Sequence, residues 1–369
     1  MAVLLAGALA LTSCGREVGE DTADGAGTGD DDGATAAAGC EPGEVDGDLL
    51  LYNWSEYIDP DLLPAFSDEY GISATEDTFT SNEALLAQIR AGGADYDVII
   101  PSDYMVDIMI EEGLLLELDH DAIPNRDNLA EEFTDPPYDP GLRYSMPYLW
   151  GTTGIAVNTE VTGPDPEATW GWLFDEELAG ELPQGISILD DPRESMAAAL
   201  YYLGYDPNTE SEDELTEAAD LIDEAGAWTV TYESNQFPDL LMTGETDVAH
   251  GYGGDFLAVF EGDERFKYLV PEEGAIMYTD TMAILATTDS PCTAHTFLNF
   301  ILDAENGAQL SNWTWYASPN AAANEFFDEE LLENEAVFPD DETRSRLQFL
   351  ENTGDAEILY TDLFTRAQG

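Results

Sequence analysis

Five stretches of the sequence carry carboxylates, hydroxyls and aromatic rings directly after, or within, apolar runs. Trp54, Ser55 and Tyr57 follow "DLLLYN", Ser102, Asp103 and Tyr104 follow "YDVIIP", and Asp190, Asp191 and Glu194 follow "GISIL". Tyr252 follows "DVAHG", and Tyr278 and Asp280 lie within "MYTDT". If those runs are strands of an open α/β sheet, their carboxyl ends border the crevice in which such sheets bind ligands. The combination suits an organic cation with an alkyl body. Aromatic faces attract an ammonium group by about 0.5–2 kcal/mol each and cover methylenes, and carboxylates fix amines through charge-assisted hydrogen bonds. An anion would need Arg, Lys or free helix N-termini, and this set offers almost no basic residues. A plainer reading stands beside it: Asp190 or Asp191 serves equally well as a helix cap, and loop aromatics can fold back as a lid on the core.

Other chemistries have less to stand on. His120, His250 and His295 lie far apart and show no metal-ligand spacing. No nucleophile elbow, P-loop or GxGxxG occurs. Paired carboxylates could serve a glycosidase, but that would leave the aromatics unexplained. We therefore expect no catalytic residue, no metal and no cofactor.

The elements that must position these residues can be read from periodicity and punctuation. "DLLLYN" is a strand leading to a helix capped by Asp59, with Pro60 as its first residue and Gly71 as its end. A strand around "ISATEDTF" follows, then a helix capped by Ser81, the buried strand "YDVIIP" and a helix capped by Ser102 and stopped at Gly113. "YSMPYLWGTTGIAVN" runs extended into a second body that repeats the design, with "GISIL" leading to "DDPRESMAAALYYLG" and "DVAHGY" leading to "GGDFLAVFEG". "MYTDTMAILAT" is another crossing strand, and a helix opens at "SPCTAHTFLNFILDAENGAQL". Two α/β lobes joined by more than one crossover account for this order.

The 369 residues suffice for two cores, and 10 basic against 79 acidic residues give a formal charge of -69, with Lys267 the one lysine. Such a surface repels nucleic acid and anionic membrane. Because the acids are spread among Leu, Ile, Phe, Tyr and Trp, they read as the coat of a folded, salt-adapted protein. Residues 1–14 resemble a signal peptide ending in a lipobox, with Cys14 as the lipid-attachment residue; their apolar run is too short to span a bilayer. Residues 15–47 read as a disordered acidic tether. Cys40 and Cys292 remain as an even pair, expected either as a disulfide stapling the tether's end to the later helix or as two separate thiols.

Taken in order, "YNWSEYIDP", "DYDVIIPSDYMVDIM", "YSMPYLWGTTGIAVN", "LDDPRESM" and "MYTDTMAI" resemble segments of the spermidine/putrescine-binding proteins of ABC importers, over residues 48 to 366. The resemblance implies a bilobal type II periplasmic-binding-protein fold of the α/β class: two mixed-sheet lobes, 48–151 plus 279–320 and 152–278 plus 321–369, with a ligand cleft between them. It implies ligand-binding roles for Trp54, Ser55, Tyr57, Ser102, Tyr104, Asp191, Glu194 and Asp280, and adds Ser234 in "YESNQF" and Tyr316 in "WYASPN". Tyr252 and Tyr278 stand where spermidine binders often carry tryptophan, and Leu350 or Glu351 stands where the family has a glutamine. The resemblance thus implies a monomeric, lipid-anchored extracytoplasmic receptor that passes a polyamine to an ABC permease and does not bind nucleic acid. Receptors for a betaine or thiamine-like cation, and a ligand-sensing subunit of a signalling system, are the alternatives.

Overall fold

The computed structural model describes residues 39–92, 95–260 and 262–369. The expected signal segment with Cys14, and the tether as far as residue 38, lie outside the described residues.

Ten strands build the sheet among the described residues: β1 (Leu49–Trp54), β2 (Ala74–Phe79), β3 (Val98–Ile99), β4 (Ser145–Asn158), β5 (Ile186–Ile188), β6 (Thr229–Tyr232), β7 (Val248–Tyr252), β8 (Phe266–Leu269), β9 (Ala275–Ile284) and β10 (Leu347–Gln348). Their spatial order is β2-β1-β3-β9-β4-β7-β5-β6, with β10 beside β9 and β8 beside β4. At each end three strands pair in parallel, as β-α-β units require. Between the ends, β4 and β9 run antiparallel to each other and to their outer neighbours. β4 is long enough to belong to both halves: Ser145 to Thr152 pair with β9, and Thr153 to Val157 pair with β7. These are the two crossovers of a bilobal fold.

The apolar runs of the inner strands are buried against helices. Leu51, Val98, Ile99, Met282 and Ile284 are fully covered in the first half, and Ile186, Ile188, Leu200 and Ile222 in the second. A separate group around Phe237, Phe256 and Phe266 fills the far side of β7 and β8. The helix Pro192–Leu203 ends at Gly204, whose φ of 80° suits glycine at a left-handed cap.

Three local expectations change. The first helix runs Leu62–Tyr70, so Asp59 and Pro60 form a preceding turn in which the Asp59 carbonyl accepts from Leu62 N at 3.0 Å. The side chain of Asp59 is taken up by Asp61 N and by Gln309 Nε2. The helix opening near Ser290 is two helices, Pro291–Ile301 and Ala304–Thr314, because the Asp303 carboxylate accepts from the amides of Glu305 and Asn306 and starts a new N-terminus. The tether stops short of residue 47: Asp46 accepts from the amides of Cys292 and Thr293, Thr296 donates to the Glu44 carbonyl at 2.7 Å, and Cys40 is bonded to Cys292 as a disulfide. Residues 40–47 are thereby bound to the helix Pro291–Ile301. Residues 321–338 bury Ala323, Phe327, Leu331 and Val337 in a cluster with Trp150, Ala308 and Ala317, against which Leu257 and Met277 also pack.

Candidate ligand cleft

The loop after β1 fixes its aromatics through the backbone of its neighbours. Trp54 donates from Nε1 to the Ile100 carbonyl at 2.9 Å and lies 4.5 Å from the Phe79 ring. Ser55 is exposed, and Tyr57 turns inward, 4 % exposed, with its ring edge on Tyr316 at 4.9 Å. Its hydroxyl donates to Asp280 Oδ2 at 2.8 Å. Ser102, expected as a helix cap, leaves that helix without a side-chain cap and donates instead to Asp280 Oδ1 at 2.7 Å. Asn82 holds Ser102 in place, donating to its Oγ and accepting from its amide, both at 3.1 Å. Asp280, on β9, is thus oriented by two hydroxyls from the other elements of the first half.

From the second half, Asp191 does cap its helix, with Oδ1 accepting from the amides of Arg193 and Glu194, and it also lines the cleft. Glu194, one turn on, is 6 % exposed, and its Oε2 has no hydrogen-bond partner among the described residues. The same is true of Ser234 Oγ. Tyr252, at the end of β7, meets the Tyr278 ring edge-on at 5.6 Å. Tyr104 donates to Glu83 at 3.0 Å.

All twelve of Trp54, Ser55, Tyr57, Ser102, Tyr104, Asp191, Glu194, Ser234, Tyr252, Tyr278, Asp280 and Tyr316 border one cavity of about 630 Å³. Asp190 does not; it is exposed and accepts from Gln368. The histidines stand apart from the cavity wall. His250, on β7, is fully buried, which pushes it down to about 3, and the ring nitrogens of His295 are taken up by Asp119 N and the Pro291 carbonyl.

The cleft is rich in carboxyls that burial makes reluctant to ionise. Asp280 is pushed up to about 6 by burial, with the Ser102 and Tyr57 hydroxyls pulling the other way. Burial also raises Glu194 well above the usual range, helped by the charge of Asp191. A positive charge beside these acids would draw them back toward the ionised form.

The profile of the bacterial extracellular solute-binding proteins matches residues 63–339. The putrescine/cadaverine-binding protein of Pseudomonas aeruginosa is 34% identical over 328 residues, covering 86% of this chain and 92% of its own. The chain belongs to the polyamine-binding family of extracellular solute-binding proteins. In structure, a Listeria monocytogenes protein assigned to spermidine/putrescine ABC transport superimposes with a TM-score of 0.83 at 35% identity, covering 88% of this chain and 99% of that one. The substrate-binding protein of the Streptococcus pneumoniae spermidine/putrescine ABC transporter gives 0.73 at 33% identity, again over 88% and 99%.

The solute-binding protein places further residues on the cleft, beyond those that the resemblance implies. Asp255 is the most consequential: it lies in the first turn of the helix Gly253–Phe260, accepts from the Tyr316 hydroxyl at 2.9 Å and is pushed by burial up to about 7. Its one signal in the sequence is a lone carboxylate in an otherwise apolar helix, behind two glycines. Those glycines matter, since a Cβ on Gly254 would overlap the Tyr316 ring. Asp103, which follows Ser102 but is not among the residues the resemblance implies, accepts from the amides of Thr279 and Tyr104, and burial raises it to about 8. At the family's glutamine position it is Leu350 that reaches the cavity of this solute-binding protein.

Proposed function

We propose that the protein captures a polyamine in this cleft and delivers it to the membrane permease of an ABC importer. The observation that carries the reading is the pairing of aromatic walls, Trp54, Tyr57, Tyr252, Tyr278 and Tyr316, with buried carboxylates from both halves, Asp280 and Glu194. Ammonium groups satisfy the carboxylates while the rings cover the methylenes between them. Relatives named for putrescine, cadaverine or spermidine support the same class of ligand. Export and lipid attachment at Cys14, the last residue of the apolar signal segment 1–14, complete the proposal; a Cys14→Ser variant that partitions into detergent like the parent would reject that part.

Calorimetric titration with putrescine, cadaverine, spermidine and spermine, in high salt, tests the ligand. One-to-one binding of any of them is expected. No heat from all four, and no displacement of a bound fluorescent amine, would leave the fold and reject the polyamine.

A further inference from the structure

The loop from Leu350 to Gly354 touches both halves of the molecule and the cleft within five residues. Leu350 is buried in the cavity wall. The next carbonyl, that of Glu351, accepts from Nη1 and Nη2 of Arg193, each at 3.1 Å. The Asn352 amide then donates to Asp107 Oδ2 at 3.1 Å. Asp107 belongs to the helix Asp103–Glu111 that follows β3, at the opposite end of the strand order. Asn352 is pre-oriented for this, because its own Oδ1 accepts from Gly354 N at 2.9 Å.

Arg193 makes the second crossing. Its guanidinium is buried, paired with Glu357 and bonded to Asn208, and it lies 4.5 Å from the Tyr360 ring on its own side. On the other side it lies 5.4 Å from the ring of Tyr104, which comes from the first half. A single loop therefore organises two contacts across the seam, Asn352 to Asp107 and Arg193 to Tyr104.

We propose that the Leu350–Gly354 loop is a closure latch: Leu350 senses a filled cavity, and Asn352 and Arg193 hold the two lobes together. This rests on the solute-capture reading above, yet Asn352 and Asp107 lie off the cavity, and the loop lies beyond the residues, 63–339, matched by the family profile. The apparent affinity of a ligand that needs the closed state scales with the closed fraction. A latch contact consequently changes the affinity for every ligand by one common factor, whereas a ligand contact changes selectivity.

The test uses the full chain with Asn352→Ala, Asp107→Ala and their double variant. Dissociation constants for putrescine and spermidine are measured by calorimetry, and the radius of gyration without added amine by small-angle X-ray scattering. Each single variant is expected to weaken both amines alike, by about three- to tenfold, and to enlarge the radius. The double variant should be no worse than either single one, and Asp107→Asn, which keeps a carbonyl acceptor, should restore the parent. Unequal effects on the two amines, or unchanged affinity and radius, would overturn the latch. Should the parent bind neither amine, the radius alone decides: larger in the variants supports the latch, unchanged rejects it.

Discussion

The hydroxyl of Tyr57 and the carboxylate of Asp280, 223 residues apart in the chain, are joined by a hydrogen bond of 2.8 Å inside the cleft. Together with Ser102 it leaves Asp280 oriented and still able to accept an ammonium proton. Replacing Asp280 by Asn keeps the shape and removes the charge. Polyamine affinity is expected to fall by about 3–5 kcal/mol, since a buried ammonium loses its counter-charge. Calorimetry decides; a Kd within threefold of the parent would remove Asp280 from that role.

Affinity should rise with pH. Asp280 at about 6, Asp255 at about 7 and Asp103 at about 8 hold protons that an ammonium ligand must displace or work around. Between pH 6 and 8 binding is expected to tighten and to release protons, so the calorimetric heat should depend on the ionisation enthalpy of the buffer. Identical heats in two buffers of different ionisation enthalpy would contradict this.

Stability without a polyamine should run the other way. These three carboxyls are raised in the folded state from 3.8, so the fold holds protons more tightly than the unfolded chain does. Their contribution is fully present below about pH 4 and is lost as pH rises through about 6, 7 and 8. Other groups set the acid limb, but Asp255→Asn is expected to flatten the decline of Tm between about pH 4 and 7, and to leave the decline steep if Asp255 titrates elsewhere.

Gly254→Ala is a test of the aromatic wall. The added Cβ would overlap the Tyr316 ring, which must then leave Asp255 and Tyr57. Affinity is expected to drop at least tenfold, with a changed near-ultraviolet circular dichroism spectrum and a fold that survives heating almost as well as before. Parent-like binding would show that Tyr316 has room to yield.

Cys40→Ser should lower stability and spare binding. The Cys40–Cys292 bond closes a separation of 252 residues and fixes residues 40–47 on the helix Pro291–Ile301, away from the cavity residues. A loss of about 2–5 kcal/mol in chemical denaturation is expected, with an unchanged polyamine Kd. An unchanged midpoint would assign the fastening to Asp46 and Thr296 alone.

What the sequence makes legible is whatever local chemistry dictates. Ser81 caps its helix through Ala84 N because cap and partner are three residues apart. Strand ends show as the ends of apolar runs, and the residues that close them, such as Trp54 and Tyr252, follow from chain order alone. What stays hidden is long-range. Ser102 has the composition of a cap, yet it serves Asp280 from 178 residues away, a partnership that no periodicity encodes. Asp255 does not stand out because its meaning depends on Tyr316, which a different part of the chain delivers. The end of the tether is obscured for the same reason: Asp46 looks like one more acid of a polar tract until the amides of Cys292 and Thr293 come to it.

The position of β9 has a mechanical meaning. It pairs with β3 on one side and with β4 on the other, so Asp280, tied to Tyr57 and Ser102 of the first half, sits beside the strand that continues into the second. For the proposed capture this makes Asp280 the fixed post to which one end of a polyamine is moored, and Glu194 and Tyr252, carried by the second half, the clamp on its other end.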